Sequence, residues 1–196
     1  MKVLGKWDVG NINVIDPGLK DYINLRPVFV PRTAGRYSKT RFWRNKYNVV
    51  ERLINKLMVP GHKGKKHFIS SGRCGGKSLT AINIVRKAFE IVEQKTKKNP
   101  IEIFAKAIEN AAPRDEITTI EYGGAKYPQA VDCSPQRRVD LVLKFFIQGS
   151  YQRSYGKKAK AHEALADEIM RACTNDGKSF AIAAKLQLER QADAAR

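Results

Sequence analysis

Apolar side chains recur at helical spacing in six stretches of this chain. Between residues 41 and 59, Trp43, Tyr47, Val50, Ile54 and Leu57 follow one another at spacings of four, three, four and three, which is one face of a helix, and Pro60-Gly61 ends it. A second helix is predicted from Ser78 as its N-cap, with Ile82, Val85, Phe89 and Val92 inward, before a polar loop at 95–98. The third has the clearest start: Asn99 as cap, Pro100 at the first helical position and Glu102 in the first turn, ahead of Ile101, Phe104, Ala105 and Ile108; Pro113 stops it. The fourth starts at Ser134-Pro135 and turns Val139, Val142, Leu143, Phe146 and Ile147 inward, and residues 149–160 read as a basic loop. A fifth helix spans 161–173, residues 175–177 break it, and a sixth runs from 179 to the end. Trp43 and Tyr47, as members of a helical stripe, are expected in the core.

Two segments break the helical period. DEITTIEY and KYPQAVDC, within 115–133, are β-prone and flank Gly123-Gly124, the pattern of a hairpin with a glycine turn; Pro128 suits an edge strand. Residues 1–40 are rich in Pro, Gly and Asn, with Pro17, Pro27 and Pro31 as breakers, and read as an extended arm with little regular structure. The expected architecture is mainly α: a six-helix, bundle-like domain over 41–196 with one protruding β-hairpin and an extended basic N-terminal arm over 1–40.

Charge then narrows the function. The 196 residues carry a net +18, far more than solubility requires, which points to a polyanionic partner. The excess is local: residues 22–89 hold sixteen Lys or Arg against one carboxylate, Glu51, a net +15. A solvated helix face mixes signs, whereas phosphate contacts favour cations alone, because each one that neutralises a phosphate releases a counterion. Between 26 and 48 the cations are interleaved with Phe29, Tyr37, Phe42, Trp43 and Tyr47, a mixture suited to RNA, whose unstacked bases lie on rings. No stretch approaches the ~18 apolar residues of a membrane span, and residues 1–10 lack the apolar core of a signal peptide. A cytoplasmic protein without a membrane partner is expected.

The chemistry-bearing residues support no enzyme. Cys74, Cys133 and Cys173 are widely spaced, and His62, His67 and His162 do not complete a zinc-ligand pattern with them; Cys133 and Cys173 are expected near the core as reduced thiols. The string SSGRCGGKSLT at 70–80 ends like a phosphate-binding loop at Gly76-Lys77-Ser78, but the first glycine position is Ser71 and HKGKKHFI ahead of it is too short and basic for a buried strand. A basic loop leading into a helix is the better reading. No nucleophile–base pair stands out, and no cofactor or metal is implied.

Three stretches together resemble the universal family of small-subunit ribosomal protein seven: VVERLINKLMVPGHKGKK at 49–66, PIEIFAKAIENAAPRDEI at 100–117, and EYGGAKYPQAVDCSPQRRVDLVLKFF at 121–146. The likeness covers about residues 40–196. The long N-terminal arm and the expanded 62–77 segment resemble its archaeal and eukaryotic branch. The resemblance implies a helical domain with an extruded hairpin that binds the 3′ major domain of small-subunit rRNA and nucleates the head. It also implies head and platform proteins as neighbours, and exit-site tRNA and mRNA near the hairpin tip, here Tyr122, Gly123, Gly124, Ala125 and Lys126. Arg137 and Arg138 match the family's basic pair at the start of its fourth helix.

On charge and placement, rRNA phosphate contacts are expected from Arg32, Arg36, Lys39, Arg41, Arg44, Lys46, Lys63, Lys65, Lys66, Arg73 and Lys77. Arg114, Arg137, Arg138, Arg153, Lys157, Lys158 and Lys160 extend that surface. Recognition would be mainly of folded RNA shape.

Overall fold

Four helices start on the polar side chain that sits just before them. Asp16 accepts from the Gly18 N–H at 2.9 Å, Asn48 from Val50 N–H at 2.8 Å, Asn99 from Ile101 N–H at 3.1 Å and Ser179 from Ile182 N–H at 3.4 Å. Each bond satisfies an amide that the first turn leaves without a helical partner. The computed structural model describes residues 2–10, 12–60 and 74–196. In order these form β1 (Lys2–Val3), β2 (Trp7–Asp8), α1 (Pro17–Lys20), a 3-10 turn (Trp43–Lys46), α2 (Val49–Leu57), α3 (Ser78–Thr96), α4 (Pro100–Ala111), β3 (Asp115–Tyr122), β4 (Ala125–Asp132), α5 (Pro135–Ser154), α6 (Ala161–Cys173) and α7 (Phe180–Ala194). The molecule is mainly α, as expected, with α2–α7 as its six longer helices.

α6 is the hub. Its Ala164, Leu165, Ala166, Ile169 and Ala172 are buried, and it packs against α3, α4, α5 and α7. Small residues on this face let neighbouring backbones approach closely. A line of rings runs through the core: Trp7 edge-on to Phe89 at 5.6 Å, Phe89 to Phe104 at 5.6 Å and Phe104 to Phe146 at 6.2 Å. Burying each phenylalanine is worth about 1.5–3 kcal/mol. Trp7 belongs to the N-terminal segment, and so do Val3, Leu19 and Ile23, all buried in the same core. The segment has little regular structure, but its apolar side chains bind it to the helical body.

β3 and β4 pair antiparallel with Asp115 opposite Asp132 and Tyr122 opposite Ala125. Gly123 and Gly124 lie between them at φ +59° and +81°, the left-handed values that a two-residue hairpin turn requires and side chains resist. Most of the hairpin is exposed. Its base is braced by α7: Glu189 accepts from the Arg114 N–H at 3.1 Å, and Arg196 pairs with Asp115.

Several boundaries differ from the sequence reading. The first long helix starts at Val49, not near 41, because Asn48 caps it there while Trp43–Lys46 form a 3-10 turn. Tyr47 is buried as expected, but Trp43 lies ahead of the helix and is 40% exposed. Ser78 is the first residue of α3, whose N-cap position is Lys77, and α3 continues to Thr96. Residues 149–154, expected in a basic loop, continue α5. Gly149 is the point of α5 where its neighbours come closest: a Cβ there would lie 2.8 Å from Phe180 Cβ of α7 and 3.1 Å from Glu168 Cδ of α6.

That point also holds a buried carboxylate. Glu168 Oε1 accepts from Ser179 Oγ at 2.7 Å and from the Ala181 N–H at 3.0 Å. Its Oε2 faces Arg153 Nη2 at 3.3 Å, an ion pair without an aligned hydrogen bond.

Two stability measurements check this packing. Helix propensity alone makes Gly149→Ala stabilising by about 1 kcal/mol; the close approach of α7 reverses the sign, and urea denaturation should show a loss of about 1–3 kcal/mol. Arg153→Met leaves Glu168 buried without its cation and should cost about 3 kcal/mol. The double variant Arg153→Met, Glu168→Gln should regain much of that loss in the same assay.

Candidate nucleic-acid interface

The one carboxylate of residues 22–89 is turned inward. Glu51, on α2, is buried, and its Oε1 accepts from both the N–H of Thr33 at 2.7 Å and its Oγ1 at 2.6 Å. The bond pins the basic arm to the helical body and removes the local negative charge from the surface. Asn48 adds a second tie, donating to the Arg26 carbonyl at 2.6 Å, and Asn24 donates to the carbonyls of Asn45 and Lys46 at 3.1 and 3.0 Å.

The next residue, Arg52, is also buried. It pairs with Asp140 of α5 at 3.3 Å and donates to the Tyr22 carbonyl at 3.1 Å. Burial lowers its pKa, and the Asp140 carboxylate opposes that effect.

These ties leave Arg32, Arg36, Lys39, Arg41, Arg44 and Lys46 exposed. Residues 38–44, where the arm runs into the 3-10 turn, and the first turns of α5 form the walls of an open groove of about 600 Å³. Arg41, Arg44, Lys56, Arg137 and Lys144 line it; Asp140, its one acidic lining residue, is paired with Arg52 and lies 3.9 Å from Arg44. Phe42 lines the same groove, with Arg41 5.2 Å from its ring centre. Trp43 packs edge-on against Tyr37, and the Lys46 ammonium stands 4.0 Å over its ring.

Lys56 and Lys144 were not among the residues singled out from the sequence. Arg137, Leu141 and Lys144 recur at spacings of four and three, so one face of α5 carries two cations, and that signal was available. The opposite wall, the arm, could not be placed by any periodicity.

The remaining expected cations divide. Arg137 donates to Glu116 at 2.7 Å yet stays half exposed at the groove. Arg138 is only 12% exposed: it pairs with Asp16 at 3.0 Å and donates to the Pro113 carbonyl at 3.0 Å, tying α1 and the hairpin base to α5. Arg153 is committed to Glu168 and to the Lys178 carbonyl, which accepts from it at 2.6 Å. Lys77 is exposed at the start of α3, Arg114 at the hairpin base, and Lys157, Lys158 and Lys160 in the loop before α6. In that region Tyr151 and Tyr155 stack at 5.3 Å. Lys63, Lys65, Lys66 and Arg73 lie outside the described residues, as do His62 and His67. At the hairpin tip Tyr122 is 81% exposed, beside Gly123, Gly124, Ala125 and Lys126.

Of the cysteines, Cys133 is buried, and burial together with Glu116 pushes its thiol up to about 11. Cys173 is half-buried and Cys74 exposed. Among the described residues no His, Cys, Asp or Glu side chains gather as a metal site, and no helix is long and apolar enough to cross a membrane.

Comparison with known proteins gives one answer. A family model described as "Ribosomal protein S7p/S5e" matches residues 19–196. The "Small ribosomal subunit protein uS7" of Nanoarchaeum equitans (strain Kin4-M) is 52% identical over 196 residues, all of this chain and 99% of that protein. The protein of the same description from Archaeoglobus fulgidus is 43% identical over 194 residues, 99% of this chain and 94% of its own length. With a family model over most of its length and relatives of this identity from end to end, the chain belongs to the ribosomal protein S7p/S5e family, whose members are structural and not enzymatic.

Proposed function

We propose that this chain is a structural component of the small ribosomal subunit in the cytoplasm, where it binds the 3′ major domain of small-subunit rRNA and nucleates assembly of the head. One observation carries the reading beyond family membership: the groove in which the arm, α2 and α5 bring together Arg41, Arg44, Lys56, Arg137 and Lys144 around a carboxylate already paired within the protein. Such a surface suits a phosphate backbone, since the gain on binding comes from counterions released by cations that outnumber the acidic groups beside them. Arg32, Arg36, Lys39, Lys46, Lys77 and Arg114 extend the contact, and Lys157, Lys158 and Lys160 form a second patch. Arg138 and Arg153 serve from within, holding the elements that present the surface.

The hairpin has a separate task. Its tip, Tyr122 to Lys126, lies near exit-site tRNA and mRNA, and its neighbours are small-subunit proteins of the head and platform. A braced base with an exposed tip suits an element that reaches out from the domain.

Two measurements test the reading. On sucrose-gradient sedimentation of cell extract the chain should travel with small subunits, and its absence there would remove the proposal. For binding, a transcript of the rRNA head domain should lose affinity steeply as salt rises. The variant Arg41→Gln, Arg44→Gln, Arg137→Gln, Lys144→Gln should make the slope of log K against log salt shallower by about three. An unchanged slope would show that the groove is not the electrostatic footprint.

A further inference from the structure

Phe42 is 63% exposed and, with Leu141, is one of two apolar side chains among the polar and charged groups that line the groove. Among the described residues no aromatic side chain stacks on it, and the Arg41 guanidinium stands over the ring at 5.2 Å from its centre. The same groove is lined by Ser134, the N-cap position of α5, whose side chain makes no cap hydrogen bond; Pro135 follows as the first helical residue. The start of this 20-residue helix therefore presents its partial positive charge to the groove beside Arg137. An exposed ring and a group of cations lining one groove of about 600 Å³ match the two halves of a nucleotide.

We propose that this groove takes an unpaired nucleotide of RNA: its base stacks on Phe42, and its phosphate lies at the start of α5 between Arg44 and Arg137. The inference rests on the rRNA-binding reading and deepens it, since that reading requires only phosphate contacts to a folded shape. A double helix has no free base face to offer, whereas a loop or junction can place a base on a ring. Stacking differs from charge pairing in its salt dependence, and this difference separates the two ideas experimentally.

Two probes serve: the rRNA head-domain transcript and a short unstructured oligouridylate, each titrated against the full chain over a range of salt. Phe42→Leu should weaken oligouridylate binding about ten-fold, the size of one lost base–ring stack, while leaving the salt slope and the thermal melt unchanged. Phe42→Tyr should keep most of the affinity. The Trp43 fluorescence next to this ring, isolated as the difference between wild type and Trp43→Phe, should change on adding oligouridylate. If Phe42→Leu binds oligouridylate as tightly as wild type, the stacking site is wrong even when the head transcript still binds through its charges. If the head transcript fails to bind while oligouridylate binding still depends on Phe42, the nucleotide site stands and the rRNA reading falls.

Discussion

Two adjacent charged side chains on one short helix, Glu51 and Arg52, hold the parts of this molecule in register. Both are buried, and they reach in different directions: Glu51 to Thr33 of the arm, Arg52 to Asp140 of α5 and the Tyr22 carbonyl. A buried ion without a partner costs several kcal/mol, so each charge forces its partner into place. The arm must pass over α2, and α5 must lie against it. The groove between arm and α5 follows from these two side chains holding both elements against α2. Glu51 matters twice, because its turning inward leaves residues 22–89 without a carboxylate at the surface.

The arginines of this chain divide by the same logic. Arg52, Arg138 and Arg153 point into the protein, each with a carboxylate and a carbonyl as partners. A guanidinium suits that task because its five N–H groups can serve two acceptors at once and it stays charged when desolvated. The outward cations include the lysines of 155–160 and those of the groove, where a mobile ammonium can follow a phosphate backbone. Net charge is therefore a poor count of binding residues here: part of the positive charge is structural.

The helical body and the hairpin place two surfaces far apart in character. The body offers cations around a groove; the hairpin offers an exposed strand pair whose tip carries Tyr122 and Lys126. They are linked through Glu116, at the hairpin base, which accepts from Arg137 at the groove. α7 closes the same base from the other side through Glu189 and Arg196. A protein that serves as a scaffold for RNA needs such fixed spacing more than it needs motion.

Local signals in the sequence were enough for most of the fold. Asn99-Pro100 started a helix, Gly123-Gly124 turned a hairpin, and the stripes of α3, α4 and α5 named their own core residues, because caps, turns and apolar period act within a few residues of chain. Charge density named the partner class for a similar reason: it is additive along the chain. The sequence alone did not decide which cations face outward. Arg138 meets Asp16 across 122 positions and Arg153 meets a carboxylate on the next helix, so their inward roles exist only once the helices pack. Trp43 was misplaced because its stripe continued on paper past the point where Asn48 starts the helix, and Gly149 because a glycine that reads as a break is, at a crossing, the one residue that lets two helices touch. The sequence by itself determined the elements and the sign of the surface. Tertiary packing, which alone brings distant charges to within 3–4 Å, decided where that surface is and which residues remain free to use it.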